Sequence, residues 1–213
     1  MTLTDLFDTV LHTDYIHVSE ETASYQCRRL GRRLELYFEW SNGCTDWYNN
    51  LDFPALPYRE MEDRWYAHRG FLRVWKVLEE VLSAPILSPD VRKILIGGYS
   101  HGAAIALLCH EYARFHRPEL AGAIQSYGFG CPRVLWGPVR PRVAARFAGF
   151  HVVRNGRDIV THVPPALFGF RHVGDLWEIG QGDAVSAIDA HRPEAYLAAL
   201  ARSPFGDTAV DAF

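Results

Sequence analysis

The residues best suited to chemistry in this sequence surround Ser100, in the stretch Gly98–Gly102 that reads Gly-Tyr-Ser-His-Gly. An apolar run, Ile94–Ile96, precedes this stretch, and an alanine-rich segment with helical spacing, Ala103–Phe115, follows it. Glycines on both sides of a serine permit a sharp strand-to-helix turn, which projects the hydroxyl and points helix amides at developing negative charge. The short motif alone is also compatible with a tight packing turn, but its position between a strand and a helix favours an acyl-transfer nucleophile.

A serine nucleophile needs a general base, and the base needs an acid that orients it. On α/β sheets with this type of turn, the acid and then the histidine follow the serine, on loops at the carboxyl ends of strands. Asp158 is the best candidate for the acid, because it comes where the apolar strand around Val152 and Val153 gives way to an Asn-Gly turn. The alternative for Asp158 is a carboxylate that bonds only the backbone of its own turn.

Three histidines follow Asp158 and are candidates for the base. His162 is too close to Asp158 in the chain to bridge to a serine on another strand. His172 begins a segment of alternating polarity, which is more typical of a packed or edge residue. His191 lies beyond the last predicted strand and just before the last predicted helix, where it can reach both partners. We therefore predict His191 as the base and keep His172 as the alternative.

The elements that must position these residues are visible in the periodicity of the sequence. The chain has 213 residues and is 48% hydrophobic, so we expect one domain over residues 1–213 with a large core. Strands alternate with helices through the middle of the chain, which predicts an α/β fold with a mostly parallel central sheet flanked by helices on both faces. The predicted helices are Leu3–Leu11, Phe71–Leu82 (ended by Pro85 and Pro89), Ala103–Phe115, Val139–Phe147 and Ala195–Ala201. The predicted strands are Ser24–Cys27, Leu34–Phe38, Ile94–Ile96, Ala123–Phe129, Phe150–Arg154 and His172–Ile179.

Composition and charge limit which binding partners and which cellular compartment we expect. The formal net charge is -3 and the basic residues are scattered, so nucleic acid is not an expected partner. No run is long enough for a membrane-spanning segment, and the first residues form no basic, apolar leader. The four cysteines lack metal-site spacing, so we expect no metal and reduced thiols in a cytoplasmic protein, with a mature secreted form left open. These cysteines are Cys27, Cys44, Cys109 and Cys131.

Short motifs occur in a fixed order along most of the chain. They are Phe38–Ser41, Asp46-Trp47, His68–Phe71, Gly98–Gly102, Tyr127–Val134, Asn155–Val160 with Pro164-Pro165, His172–Gly174, and Asp189–His191 followed by Tyr196. Together they resemble the class 3 lipases, the fungal-type triacylglycerol lipase family of the α/β-hydrolases. The first two are similar to the family's Phe-Arg-Gly-Thr segment and Asp-Trp pair, and the stretch around Asp158 is similar to its Asp-x-Val-Pro acid loop.

The resemblance implies a serine carboxylic-ester hydrolase, a lipase or esterase that acts through an acyl-enzyme and needs no cofactor. Its substrates would be acylglycerol-like or other modestly lipophilic esters. By the same resemblance, Ser100 is the nucleophile, Asp158 the acid and His191 the base, and the backbone amides of Ser41 and His101 form the oxyanion hole.

Three departures from the family pattern lie close to these residues. Glu39 and Trp40 stand where the family has arginine and glycine, which bears on the conformation of the oxyanion loop. His101 stands where leucine is common, and Ala190 separates the aspartate of the last motif from the histidine.

Residues 51–65 mix apolar and charged side chains. The family places its lid in this region, so the resemblance implies an amphipathic flap over the serine, with a static surface helix as the alternative. The segment is short, which favours soluble or modestly lipophilic esters over an oil–water interface. The expected partner is a small-molecule ester or lipid, with at most transient contact to a lipid surface.

Two further classes of function stay open for the same fold. A phospholipase, thioesterase or amidase would use the same triad with a different pocket. A non-catalytic lipase-like scaffold is the third option, but such a scaffold has no need of a complete set of Ser100, Asp158 and His191.

Overall fold

The structure is a computed structural model that describes residues 1–19, 23–40, 55–58, 65–180 and 186–210 of the chain. Its strands, in chain order, are β1 (Ile16–Ser19), β2 (Ala23–Leu30), β3 (Arg33–Phe38), β4 (Ala55–Tyr58), β5 (Trp65–His68), β6 (Lys93–Tyr99), β7 (Ile124–Phe129), β8 (Leu135–Trp136), β9 (Phe150–Arg154), β10 (Phe170–Arg171) and β11 (Asp175–Glu178). Its α-helices are α1 (Leu3–His12), α2 (Arg69–Leu87), α3 (His101–His116), α4 (Pro141–Arg146) and α5 (Pro193–Arg202).

The main sheet has seven strands within the described ranges, in the order β1-β2-β3-β6-β7-β9-β11. The first three pair antiparallel at one edge. From β3 to β11 the neighbouring strands run parallel. The predicted α/β class with a mostly parallel central sheet is therefore confirmed. Since parallel strands end at the same edge of a sheet, the segments that follow β6, β9 and β11 come together there.

Helices cover both faces of this sheet. Successive side chains of a strand point to opposite faces, so apolar residues on both faces need a cover. Along β6, Ile94 and Ile96 belong to the core beneath α2 and α3. The intervening Leu95 and the terminal Tyr99 belong to a second core, with α1 and α5. Strand β6 is thus apolar on both sides, which explains its unbroken hydrophobic run.

A second, antiparallel sheet joins β10, β8, β5 and β4 in that order. Strand β5 leads directly into α2, and the ring of His68 at its end lies 4.5 Å from Phe71 and 5.9 Å from Phe170. The sequence did not predict this sheet, because strands of two to four residues are too short to show a period.

Several predicted ends differ from the structure, and two of these differences have a clear physical reason. Pro85 does not end α2, which continues to Leu87. Pro85 has no amide proton to donate to the carbonyl of Val81, but Val81 lies on the exposed side of the helix. The additional turn buries Ile86 completely, which compensates for the missing hydrogen bond. The predicted strand from His172 begins only at Asp175, because Gly174 has a φ of +83° and its backbone lies against the Phe150 carbonyl.

The predicted lid lies mostly outside the described residues. Within 51–65 the structure describes Ala55–Tyr58, which forms a strand, and Trp65, which begins the next strand. The part that is described is therefore not a helix, and the lid itself stays a prediction. That residues 1–213 form a single domain also stays a prediction.

Candidate active site

Ser100 lies at the turn between β6 and α3 with φ 55° and ψ -119°, and among the described residues it is the one non-glycine with positive φ. Gly98 and Gly102 are needed at this turn because no side chain fits. A Cβ on Gly98 would overlap the Gly102 backbone, and a Cβ on Gly102 would overlap the Phe38 carbonyl. The Ser100 amide donates to the Phe129 carbonyl at 2.9 Å, which ties the turn to the neighbouring strand β7. The geometry is that of a nucleophile elbow.

The structure brings Ser100, His191 and Asp158 together from loops after β6, β11 and β9. The Ser100 hydroxyl lies 2.8 Å from His191 Nε2, and His191 Nδ1 lies 2.8 Å from Asp158 Oδ2. A carboxylate can only accept, so Nδ1 carries the proton and Nε2 is left to accept from the serine. Ser100 and His191 are 6% and 4% exposed, and Asp158 is fully buried. This arrangement can deprotonate the serine as its oxygen attacks a substrate.

The buried Asp158 carboxylate receives two further hydrogen bonds. The Tyr196 hydroxyl donates to Oδ2 at 2.6 Å, and the Val160 amide donates to Oδ1 at 2.8 Å. Burial and the adjacent Asp158 raise the pKa of Tyr196 well above its usual value, so the phenol stays protonated and remains a donor. Three donors thus offset the cost of burying this charge.

His191 is held in position from several sides. The Asn155 side chain donates to the Ala190 carbonyl at 2.9 Å, and the Tyr99 hydroxyl donates to the carbonyl of His191 itself. The Tyr99 ring stacks on the imidazole with 5.0 Å between the ring centroids. Gly130, with a φ of +58°, lies beneath the pair, because a Cβ there would come within 2.8 Å of His191 Cε1.

Of the two predicted oxyanion donors, His101 lies within the described residues and Ser41 does not. His101 is the first residue of α3, and amides in the first turn of a helix have no acceptor within the helix. Its buried ring bonds the Glu39 carbonyl, and burial lowers its pKa to about 4. Ser41 lies outside the described residues. The described chain before it ends at Trp40, whose ring lies 5.5 Å from that of Tyr99.

Neither of the other histidines reaches the serine. His172 Nε2 donates to the Thr161 carbonyl at 2.6 Å, and burial lowers its pKa to about 4. His162 lies on the exposed surface, with Nδ1 at 2.9 Å from the backbone carbonyl of Asp158. Both histidines therefore bond backbone carbonyls of the loop that carries Asp158.

Sequence analysis assigns no role to the residues that support the triad. Tyr196 was visible only as part of a family motif, Asn155 as part of a turn, and Tyr99 as the variable position of the elbow motif. Each of these residues acts through a contact with a segment that is distant in sequence. The spacing of tyrosines and asparagines along the chain does not predict such contacts.

The described residues contain no group of three or more His, Cys, Asp or Glu that could hold a metal ion. Burial raises the pKa of the Cys109 and Cys131 thiols, which makes them poor nucleophiles and poor metal ligands. In the part of the chain that the structure describes, no helix has the length and apolarity needed to cross a bilayer.

The chain is similar to fungal lipases in sequence and in structure. It is 29% identical to a lipase of Rhizomucor miehei over 154 residues, which are 70% of this chain and 42% of that protein. It is 35% identical to a secreted mono- and diacylglycerol lipase of Malassezia globosa over 98 residues, which are 45% of this chain and 31% of that protein. The chain thus spans less than half the length of these relatives.

A solved triacylglycerol lipase, described as having a serine protease triad at its catalytic centre, superposes with a TM-score of 0.66 and 26% identity. The match covers 78% of this chain and 65% of that one. The Malassezia relative is named as secreted, so the comparisons give no support to the cytoplasmic location expected from the sequence. The profile of the family Lipase (class 3) matches residues 36–168. Because that match covers well over half of the chain, the protein belongs to the class 3 lipase family.

Proposed function

We propose that this chain is a serine carboxylic-ester hydrolase that cleaves acylglycerol-like esters through an acyl-enzyme. The observation that carries the proposal is the continuous set of hydrogen bonds from Ser100 through His191 to the buried Asp158, with 2.8 Å at each step. This set begins at a serine presented on a strand-to-helix turn. Membership of the class 3 lipase family supports the same conclusion.

The reaction begins when Ser100 Oγ attacks the carbonyl carbon of the ester and its proton passes to His191 Nε2. Asp158 stabilises the imidazolium that forms and keeps the ring in the tautomer that accepts from serine. The carbonyl oxygen becomes an oxyanion, and we assign its stabilisation to the backbone amides of His101 and Ser41.

The attack gives a tetrahedral intermediate that carries the oxyanion. Its collapse breaks the bond to the alcohol, which leaves with the proton from His191. The acyl group stays on Ser100 Oγ as an ester. A water molecule then attacks the acyl carbon while its proton passes to His191, and the carboxylic acid is released as the serine hydroxyl is restored. No step requires a cofactor or a metal.

The substrate class rests on the relatives together with the surroundings of the serine. The Rhizomucor protein is named a lipase and the Malassezia protein a mono- and diacylglycerol lipase. In this chain His101, the residue after the nucleophile, packs on the hydrophobic core at Phe71 with 5.6 Å between the two ring centroids, and these apolar surroundings support a lipophilic substrate.

The direct test is covalent labelling with an alkyl phosphonate, followed by hydrolysis of a chain-length series of esters. We expect one phosphonate per chain, located by mass spectrometry on the peptide that contains Ser100. Labelling should be lost in Ser100→Ala and kept in the matched control Ser126→Ala. Mono-, di- and triacylglycerols and nitrophenyl esters of increasing chain length should then be hydrolysed with a preference for lipophilic acyl groups. Absence of both labelling and hydrolysis would contradict the proposal.

A further inference from the structure

Trp40 comes two residues after strand β3, which runs parallel to β6 and ends beside it at the turn of the nucleophile. The backbone before Trp40 is anchored at Glu39, whose amide donates to the Ser24 carbonyl at 3.3 Å and whose carbonyl bonds the buried ring of His101. The Trp40 side chain packs, partly buried, on the second core, and its ring centroid lies 5.5 Å from that of Tyr99. Trp40 is therefore held against the residue that precedes the nucleophile.

Aromatic rings surround that of Tyr99, which is 1% exposed. Phe7 and Tyr196 contact it edge to face, with 5.4 and 5.7 Å between the ring centroids. The imidazole of His191 stacks on it, and the Trp40 ring contacts it at a tilt of 57°. Phe7, Tyr196 and His191 are buried, whereas Trp40 is partly exposed. Removal of the Trp40 ring would leave a gap beside Tyr99 that the buried rings cannot fill without moving.

Tyr99 in turn contacts His191 at two places. Its ring stacks on the imidazole with 5.0 Å between the centroids and 24° between the planes, and its hydroxyl donates to the His191 carbonyl. Stacking uses the face of the imidazole, while its two nitrogens lie 2.8 Å from Ser100 and Asp158 in the ring plane. A rotation of the Tyr99 ring would therefore tilt the imidazole and lengthen these contacts.

We propose that Trp40 is a positioning residue for the catalytic base and acts through Tyr99. Trp40 keeps the Tyr99 ring in place. Tyr99 keeps the imidazole of His191 at the angle where both of its nitrogens reach their partners in the triad. The inference rests on the proposed function, because this alignment matters for proton transfer between Ser100 and His191.

Narrowing of the entrance for the acyl chain is a different role for Trp40, and the two roles predict different kinetics. An entrance residue changes KM and the preference for chain length, whereas a positioning residue lowers kcat for every ester. The contact between the Trp40 and Tyr99 rings favours positioning, because packed aromatic pairs hold each other in a preferred orientation.

The first test compares Trp40→Leu and Trp40→Phe with the parent on nitrophenyl esters of two chain lengths. Trp40→Leu should lower kcat about tenfold for both esters and leave KM within about twofold, because the base is misaligned and the binding site is kept. Trp40→Phe retains a ring against Tyr99 and should restore kcat to within about threefold of the parent.

Trp136→Leu is the matched control for this comparison. Trp136 is 41% exposed and lies in the second sheet, and its ring likewise contacts a tyrosine, Tyr66, with 5.4 Å between the centroids. This variant should keep kcat within about twofold of the parent. Thermal unfolding shows whether each variant is folded at the temperature of the assay.

A double-mutant cycle tests whether Trp40 acts through Tyr99. Tyr99→Leu alone should lower kcat about 100-fold, as expected when a catalytic group is misplaced by about 1 Å. The double variant Trp40→Leu/Tyr99→Leu should lose little more than Tyr99→Leu, whereas independent effects would multiply to about 1,000-fold. In Tyr99→Phe, which keeps the ring, Trp40→Leu should retain its full effect of about tenfold. This second comparison decides the question if Tyr99→Leu does not fold.

Tyr112→Leu is the control partner in the cycle. This buried tyrosine also contacts a histidine ring, that of His116 with 4.3 Å between the centroids, but it belongs to the other core. Its effect on kcat should simply multiply with that of Trp40→Leu.

Nitrogen NMR of the histidine rings gives a readout that does not need turnover. In the parent, the His191 signals, assigned by their absence in His191→Ala, should show the tautomer with the proton on Nδ1. Trp40→Leu should shift or broaden these signals, and Trp136→Leu should leave them unchanged.

The positioning role and the proposed activity fail in different measurements. No hydrolysis of any ester by the parent would reject the activity, while the NMR signals of His191 would still test the positioning role. With an active parent, an unchanged kcat in Trp40→Leu, a change confined to KM or chain-length preference, or a loss equal to that of Trp136→Leu would each overturn the positioning role. Fully multiplied losses in the double variant, or unchanged His191 signals in Trp40→Leu, would overturn it as well.

Discussion

Ser100 with His191 and Ser126 with His110 are two serine–histidine pairs in the same molecule. The oxygen-to-nitrogen distances are 2.8 Å in the first pair and 2.7 Å in the second. The first pair lies where the parallel strands end, whereas the second is buried between α3 and β7 with no exposed surface. Distance alone does not distinguish them.

The second nitrogen of each histidine makes the difference. His191 Nδ1 donates to the Asp158 carboxylate, whereas His110 Nε2 donates to the backbone carbonyl of Arg146 at 3.2 Å. A carboxylate stabilises the imidazolium and a neutral carbonyl does so far less, and burial lowers the pKa of His110 to about 3. Of the two pairs, the first therefore has the arrangement expected of a catalytic unit, in which an acid lies behind the histidine.

The largest effect should come from removing the hydroxyl of the first pair. Ser100→Ala should lower ester turnover at least about 1,000-fold, because loss of a triad residue removes the nucleophile itself. Ser126→Ala, the same change in the second pair, should leave turnover within a few-fold. Steady-state hydrolysis of a soluble ester measures both, with circular dichroism to show that each variant is folded. Similar losses in both variants would remove the distinction between the pairs.

Changes at the histidines test which imidazole is the base. His191→Ala should reduce turnover about as much as the serine change, because the proton acceptor is lost. His172→Ala should mainly lower the free energy of unfolding, since that ring bonds the Thr161 carbonyl in the acid loop. Turnover and urea unfolding of both variants separate the two roles. A larger loss of turnover in His172→Ala than in His191→Ala would show that the base is wrongly assigned.

The oxyanion assignment predicts a smaller loss at Ser41. If its hydroxyl donates to the oxyanion, Ser41→Ala should raise the activation free energy by roughly 2.7 to 4 kcal/mol, and if only the amide donates the loss should be modest. KM should change little in either case, because the charge appears only in the transition state. Ser41→Thr is the control, since it keeps a hydroxyl. Unchanged kcat in Ser41→Ala would exclude the hydroxyl as a donor.

The lowered pKa of His110 predicts that the stability of the fold depends on pH through the second pair. Its pKa in the folded chain is lowered from 6.5 to about 3, so the unfolded chain takes up the proton first as pH falls. The stabilisation is fully present above about pH 6.5 and is lost progressively toward pH 3. Relative to His110→Gln, the parent should lose on the order of 3 kcal/mol between pH 7 and pH 4.

Denaturant unfolding of both proteins across this range measures the difference, in which the other titrating groups cancel. Parallel curves would contradict the prediction. At pH 8, His110→Gln should keep most of its turnover, which separates this histidine from His191.

The smallest effect is expected at His101, where the ring bonds the Glu39 carbonyl next to the predicted oxyanion loop. His101→Leu removes that bond but keeps the backbone amide, so kcat should fall by less than about tenfold, as expected for one hydrogen bond of about 1 kcal/mol. KM should change little. Measured kcat and KM of His101→Leu and His101→Asn, which keeps a donor, test this role. A rise in kcat in the leucine variant would contradict it.

Local patterns in the sequence predicted the fold class and most of its helices and strands. The strand Phe150–Arg154 matches the structure at both ends, because its apolar run is bounded by a glycine and an Asn-Gly turn. The end of α2 was mispredicted at Pro85, where burial of Ile86 outweighs one missing hydrogen bond. Sequence analysis does not predict the second sheet, because its strands of two to four residues are too short to show a period.

In the candidate site, the elbow around Ser100 is predictable from local sequence, since the need for glycine at Gly98 and Gly102 is local. Local sequence also places Asp158 and His191 at strand ends, where a parallel sheet brings loops together. The folded chain is needed to show that His191, and not His172, lies at Ser100, and that Tyr196 donates to Asp158. Those contacts depend on strand order and loop packing, which join residues 91 and 38 positions apart, and no spacing along the chain encodes them.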